Sequence, residues 1–199
     1  MNIMKKQTHQ FLLRAFLLEG LLLGIAMLWA YWRNIPLQRA LEPTLFACLF
    51  GVMAGVFVLV VNYWLIEYGS RYVACLRTIR QLLEQDISPL FRHLDVVGIV
   101  FIALISGIAE EFFFRGVLQA EIGIWLTSLL FGLGHIWSKT AVLYGIYASL
   151  IGGFFGAIYL WSGNLWVPML AHIVNNFVAI LYYRHYFTPS QSHALAEHP

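Results

Sequence analysis

Long apolar runs are the feature that most restricts the fold of this chain. A helix needs about 20 apolar residues to cross the hydrocarbon core of a bilayer. Six stretches meet this requirement or come close to it: 11–32, 44–66, 96–118, 122–137, 141–161 and 165–183. Charged residues make up only 11% of the 199 residues, too few to cover a soluble domain of this size. The sequence therefore predicts an all-α fold, a polytopic transmembrane helical bundle of about six spans.

The basic residues predict the orientation of this bundle. With the N-terminus in the cytoplasm, only Arg33 and Arg39 of the basic residues outside the spans face the other side. Cytoplasmic loops carry an excess of Lys and Arg, so both termini are expected in the cytoplasm. In the polar segment 67–95, apolar residues recur every three or four positions opposite arginines. This pattern predicts an amphipathic helix at the cytoplasmic interface.

Composition gives no sign of a second domain. Residues 1–187 are expected to form one transmembrane domain, and the polar stretch 188–199 is expected to be a disordered tail. The first apolar run is too long for a signal peptide and lacks a small-residue cleavage site, so it is expected to remain as a span. A net charge of +2 offers no electrostatic surface for nucleic acid. The two cysteines do not have the spacing of a disulfide framework or a thiolate metal site.

Three charged side chains lie inside the third apolar run, where each costs about 2.5–3.5 kcal/mol near the bilayer centre. Glu111 and Arg115 are four residues apart, so they share a helix face and are expected to pair. Glu110 points about 100° away from Glu111. A purely architectural ion pair accounts for Glu111 and Arg115 but does not explain a third charged residue, Glu110, inside the same span. A function is therefore predicted for Glu110.

Two histidines in later spans complement this acid. His135 ends the fourth run, and His172 shares a helix face with Asn176 in the sixth. A carboxylate can deprotonate a water that an imidazole orients, and His with Asn can stabilise an oxyanion. These residues suffice for hydrolysis of a carbonyl compound by direct attack of water. Ser106 lies one turn before Glu110 and is expected to be a packing hydroxyl rather than a nucleophile.

The same side chains also allow a metal site. Glu110, His135 and His172 supply one carboxylate and two imidazoles, a ligand set that catalytic zinc sites use with an open fourth position. The chain lacks a His-Glu-x-x-His motif, so spacing alone does not choose between metal-bound and carboxylate-activated water. We favour a reaction without a cofactor and keep a divalent metal such as zinc as the alternative.

In this order along the chain, the three polar groups resemble the signature motifs of a known family. The motifs are Glu110-Glu111-x-x-x-Arg115, Phe131-x-x-x-His135 and His172-x-x-x-Asn176. They resemble those of the CPBP family, the CAAX-protease and bacteriocin-processing membrane proteins also called Abi, over about residues 105–176. The 15 residues between the first two motifs leave little loop between their helices.

The resemblance implies an intramembrane endopeptidase, with a membrane-anchored or lipidated protein or peptide as its substrate and the bacterial inner membrane as its expected location. It also implies that Glu110 and His135 activate the water and that His172 and Asn176 form the oxyanion hole. Glu111 and Arg115 would then support the motif helix, and a more direct role for Glu111 stays open.

Other functions remain open at this point. A non-enzymatic member of the family, for example a bacteriocin-immunity or partner-binding protein, would need Glu110 and the histidines only for folding or binding. A proton-coupled carrier would also place Glu and His in the membrane, but it does not account for the ordered motifs. Glu19, a further acid in the first run, is five residues from Arg14 and has no predicted partner.

Overall fold

The computed structural model describes the backbone of residues 2–186 and the side chains of residues 8–186. The tail expected at 188–199 lies outside the described residues. No strand occurs within residues 2–186, which confirms the all-α prediction. The α-helices are α1 Asn2–Trp32, α2 Leu45–Tyr63, α3 Ser70–Tyr72, α4 Ala74–Leu82, α5 Ser88–Phe91, α6 Val96–Glu111, α7 Gln119–Gly134, α8 Val142–Ser162 and α9 Trp166–Tyr186. Three π-helical stretches, Trp64–Gly69, Leu83–Ile87 and Phe112–Leu118, continue α2, α4 and α6, and 3₁₀ turns precede α2 and α8.

Five helical stretches of the described chain are long and apolar enough to cross a membrane. They are Thr8–Trp32, Leu45–Tyr72, Val96–Gly134, Lys139–Ser162 and Trp166–Tyr186. The polytopic bundle is thus confirmed. The third and fourth candidate spans, 96–118 and 122–137, are joined in one helical stretch of 39 residues.

This long stretch folds back on itself at Gly123. Gly123 has φ 77° and ψ 170°, a backbone conformation that is essentially restricted to glycine. The rings of Phe114 and Phe131 are 5.0 Å apart, although a straight helix would separate these residues by about 25 Å. The return arm 124–134 is about 16 Å long, roughly half of the hydrocarbon thickness. Consequently the motif that ends at His135 returns to the depth of the motif on α6.

Glycines bring α2 and α9 into backbone contact. A Cβ atom at Gly55 would lie 2.8 Å from the carbonyl oxygen of Ala171, and one at Gly51 would lie 2.8 Å from the carbonyl oxygen of Val167. In lipid, close backbone approach replaces the hydrophobic effect as a source of helix association. This packing fixes α9, which carries His172, against α2.

Short loops close one end of the bundle. The backbone N–H of Leu165 donates to the carbonyl oxygen of Ala40 at 2.7 Å, so the loop before α9 pairs with the loop before α2. Arg33 Nε lies 2.9 Å from a carboxylate oxygen of Glu121, beside the fold-back at Gly123. This hydrogen bond raises the pKa of the Arg33 guanidinium.

The segment predicted to be amphipathic closes the opposite end. It forms α3, α4 and α5 with a π-helical stretch between α4 and α5. Ile79 and Leu83 are buried against the bundle, whereas Tyr72 is exposed. The Ser88 hydroxyl donates to the backbone carbonyl of Tyr183 at 3.3 Å, which ties α5 to the end of α9. This end cap forms the floor of a cavity inside the bundle.

Candidate active site

One cavity of about 250 Å³ receives side chains from all three sequence motifs. Glu110 enters it from α6, His135 from the end of α7, and His172 and Asn176 from α9. The four side chains proposed for catalysis therefore share one space. Other residues also line the wall: Asn62, Ile66, Leu83, Ile87, Phe91, Ser106, Tyr144, Tyr147 and Tyr183.

Glu110 and His135 face each other across this cavity. The distance from Glu110 Oε2 to His135 Nε2 is 4.0 Å, too long for a hydrogen bond and short enough for one water to bridge. Glu110 Oε2 is buried and has no hydrogen-bond partner among the described residues. An unpaired buried carboxylate oxygen is costly, so this atom is positioned for a ligand or water.

The backbone of α7 sets the tautomer of His135. His135 Nδ1 lies 2.7 Å from the carbonyl oxygen of Phe131, and a carbonyl oxygen can only accept a hydrogen bond. Nδ1 therefore carries the proton, and Nε2 of the neutral ring is an acceptor. Two acceptors, Glu110 Oε2 and His135 Nε2, thus face the same point.

Glu111 turns away from the cavity and accepts hydrogen bonds from two side chains. Its Oε1 accepts hydrogen bonds from Arg115 at 2.9 Å and from His172 Nδ1 at 2.8 Å. Glu111 and Arg115 are both fully buried. The i,i+4 pair expected from the spacing is present. The contact with His172 was not predicted, and it gives Glu111 a direct link to the cavity in addition to the expected support of the helix.

Backbone and aromatic groups enclose the Arg115 guanidinium. Arg115 donates to the carbonyl oxygen of Gly152 at 2.8 Å, and its Cζ lies 4.5 Å from the centre of the Phe131 ring. The ring of Phe155 stacks on His172 at 5.3 Å. Aromatic faces attract cations more strongly where water is excluded. The motif on α6 is therefore held in place by α7, α8 and α9.

The three side chains of the alternative metal site, Glu110, His135 and His172, are not grouped as ligands of one ion in this structure. Within the described residues, no three His, Cys, Asp or Glu side chains are grouped so that they could hold a metal ion. His172 directs Nδ1 at Glu111, and the closest approach of Glu110 and His135 is 4.0 Å.

Several polar residues near the cavity were not identified from the sequence. Asn62, Tyr147 and Asn175 form hydrogen bonds along the wall beside Asn176. Asn62 and Tyr147 belong to no recognisable motif, and Asn175 is one of the unspecified positions of His172-x-x-x-Asn176. The only signal for them is that polar side chains are unfavourable inside a span unless they have a function. Glu19 lies close enough to Glu110 to interact electrostatically, and its buried Oε2 has no hydrogen-bond partner among the described residues.

Comparison with known proteins gives one family and one relative. Residues 92–178 match the family model described as type II CAAX prenyl endopeptidase Rce1-like. The uncharacterized protein YpbD of Bacillus subtilis (strain 168) is 40% identical over 85 residues. That alignment covers 43% of this chain and 45% of YpbD, less than half of either protein. No solved structure matches the chain.

Proposed function

We propose that this chain, whose residues 92–178 belong to the CAAX-protease family, is an intramembrane endopeptidase that uses Glu110 and His135 to activate water. Five apolar helices and this family make the chain an integral membrane protein. One observation carries the proposal: Glu110 Oε2 and His135 Nε2 lie 4.0 Å apart in a cavity that also contains His172 and Asn176.

The two facing acceptors define how a water would bind. A water between Glu110 Oε2 and His135 Nε2 donates one O–H to each, so both of its lone pairs are left for attack on a carbonyl carbon. As the bond to carbon forms, Glu110 accepts the proton of the water. The protonated carboxyl then gives that proton to the amine that leaves, so one residue acts as base and then as acid.

Asn176 and His172 are suited to stabilise the oxyanion. Asn176 Nδ2 carries two N–H groups, and one of them donates to Ser106 Oγ at 3.0 Å, which leaves the other for a substrate. His172 donates its Nδ1 proton to Glu111, so Nε2 can donate only when the ring is protonated. With His172 protonated, Glu110 and Glu111 are balanced by His172 and Arg115, a neutral set that a low-dielectric site favours.

The surroundings of the cavity indicate the kind of substrate. Its floor is apolar, with Leu83, Ile87 and Phe91 contributed by the end cap. We propose that a membrane-anchored or lipidated protein or peptide binds in this cavity, with its apolar part against the floor. The excess of basic residues supports an orientation with the end cap and both termini in the cytoplasm, and we propose a bacterial inner membrane as the location.

Cleavage assays in lipid nanodiscs test this function. The probes are quenched fluorescent peptides of one sequence with a C-terminal cysteine that carries an isoprenoid, an acyl chain or no lipid. Glu110→Gln and His135→Ala are expected to abolish cleavage. Glu121→Gln is the matched control, because Glu121 pairs with Arg33 far from the cavity.

Three results would contradict the proposal. Cleavage by Glu110→Gln at the wild-type rate would remove the base from the mechanism. Loss of activity with 1,10-phenanthroline, restored by zinc, would favour the metal alternative over carboxylate-activated water. Wild-type protein that cleaves none of the three peptides, while retaining its helical content, would favour a non-enzymatic role.

A further inference from the structure

A row of hydrogen-bonded side chains leads along the cavity wall to Asn176. The Tyr147 hydroxyl donates to Asn62 Oδ1, and Asn62 Nδ2 donates to Asn175 Oδ1 at 3.0 Å. Asn175 Nδ2 then donates to Asn176 Oδ1 at 3.3 Å, and Asn176 Nδ2 donates to Ser106 Oγ. We call Tyr147, Asn62 and Asn175 the amide row. Every bond in the row has the same direction, with the donor on the side of Tyr147.

We propose that the amide row consists of positioning residues that fix which end of the Asn176 amide faces the substrate. This inference rests on the proposed role of Asn176 as an oxyanion donor. It extends the site beyond the matched residues 92–178, because Asn62 belongs to α2.

The orientation of Asn176 has to be fixed because its amide is symmetric in shape. If Oδ1 and Nδ2 exchanged places, the side chain would occupy the same volume but present an acceptor to the oxyanion. Ser106 does not prevent this exchange, since a hydroxyl both donates and accepts. The N–H of Asn175 does prevent it, because an N–H group can bond only to the oxygen of Asn176.

Tyr147 determines the direction of the whole row. The side-chain amides of Asn62, Asn175 and Asn176 could in principle reverse together and keep the bonds between them. In that case the Tyr147 hydroxyl would accept from Asn62, and its own proton would lose the acceptor that it now has. The Tyr147 hydroxyl is partly buried, and a hydroxyl proton that loses its acceptor there is unfavourable. Ser106, by contrast, lies within α6 and can donate its proton to the carbonyl one turn earlier in either case.

A purely architectural role would also be reasonable for these amides. Hydrogen bonds between spans hold helices together, and the row links α2, α8 and α9. An architectural role requires that the bonds exist but does not depend on their direction. The decisive measurement therefore concerns the state of the Asn176 amide in a folded protein.

Nuclear magnetic resonance of the substrate-free protein supplies this measurement. The protein is labelled with nitrogen-15 at asparagine and held in lipid nanodiscs, and the side-chain NH₂ signals of Asn176 are identified by their loss in Asn176→Asp. Tyr147→Phe is expected to move these signals, although Tyr147 is three hydrogen bonds away. Tyr159→Phe is the control, because it removes a tyrosine hydroxyl from the same helix about 18 Å further along. It is expected to leave the Asn176 signals in place. Unmoved Asn176 signals in both Tyr147→Phe and Asn62→Leu would overturn the inference.

Kinetics with the fluorescent peptide that the wild type cleaves fastest provide a second test. Asn175→Asp keeps the size of the side chain and accepts from Asn62, but its carboxylate faces the Asn176 oxygen and favours the reversed amide. Its kcat is expected to fall about 10²-fold, as for loss of one oxyanion donor, with little change in KM. Asn176→Ala is expected to show a loss of the same size.

The two hypotheses fail in different ways. Full activity of Asn176→Ala would overturn the proposed function of Asn176 itself. A loss in Asn176→Ala together with a wild-type kcat in Tyr147→Phe and Asn175→Asp would overturn only the role of the amide row. A rise in KM with unchanged kcat would assign the row to substrate binding and would likewise overturn the proposal.

Discussion

The buried pair of Glu111 and Arg115 allows the structural and catalytic contributions of one carboxylate to be separated. Glu111 Oε1 accepts from Arg115 at 2.9 Å and from His172 at 2.8 Å, and both members of the pair are fully buried. Three variants make up the experiment: Arg115→Met, Glu111→Gln and the double variant. Glu111→Gln leaves Arg115 without its carboxylate, and Arg115→Met leaves Glu111 with His172 as its remaining partner, whereas the double variant removes both charges of the pair.

The expected magnitudes follow from this burial. Removal of one partner from a buried ion pair costs about 3–5 kcal/mol, because the other charge remains in a low dielectric. Arg115→Met also loses the contact with the Phe131 ring, which adds about 1 kcal/mol. An apolar or neutral replacement of a whole buried pair is often close to neutral. The double variant is therefore expected within about 2 kcal/mol of the wild type, less destabilised than either single variant.

Catalysis is expected to respond differently. In the double variant His172 Nδ1 no longer faces a carboxylate, so the protonated ring loses its stabilising charge. If the protonated ring donates to the oxyanion, kcat is expected to fall about 10²–10³-fold. The double variant is thus expected to regain stability but not activity.

Unfolding in mixed detergent micelles with increasing dodecyl sulfate, followed by circular dichroism, measures the stability of each variant. Cleavage of the fluorescent peptide measures activity. The exposed pair of Arg33 and Glu121 is the control, since its removal is expected to cost at most about 1 kcal/mol. Wild-type cleavage by the double variant would refute the link from Glu111 to His172. Additive destabilisation of the two single variants would refute the buried-pair reasoning.

Three further predictions concern the fold and its orientation. Gly123→Ala is expected to destabilise the protein by about 1–3 kcal/mol, because residue 123 has a positive φ. In the same unfolding assay Gly134→Ala is expected to have little effect, because a Cβ atom at residue 134 meets open space. Gly55→Ala places a Cβ 2.8 Å from Ala171 O and is expected to lower stability by about 1–3 kcal/mol; an unchanged midpoint would show that α2 and α9 can separate without loss. Cys75, exposed on the end cap, should react with a membrane-impermeant maleimide in inverted vesicles and not in intact cells, and the opposite pattern would reverse the proposed orientation.

Helix periodicity was enough to predict that two adjacent acids, Glu110 and Glu111, have different surroundings. Successive residues turn by about 100°, so Glu110 and Glu111 had to face different surroundings, and the spacing to Arg115 identified which of them was paired. The meeting of these residues with His135, His172 and Asn176 was inferred from the order of the motifs. Periodicity within one span says nothing about which other spans lie beside it.

Other features depend on packing that local sequence does not encode. The fold-back at Gly123 lies between two apolar segments of similar composition, and one glycine in a helical pattern is a weak signal. Asn62 and Tyr147 are 85 positions apart, and they meet only because α2 and α8 both border the cavity. Glu111 was expected to act within its own helix, and its bond to His172 depends on the position of α9.

The residues proposed for the chemistry and many of the residues that shape the cavity come from different parts of the chain. All residues proposed to act on the peptide bond lie within the matched segment 92–178. Asn62, Ile66, Leu83 and Ile87 also line the cavity, yet they precede that segment. A family member that kept the motifs but differed in its second span and end cap would have the same reactive groups around a cavity of another shape. The segment that matches the family model thus carries the reaction proposed for this chain, whereas the substrate has to be inferred from the wall that the rest of the chain adds to it.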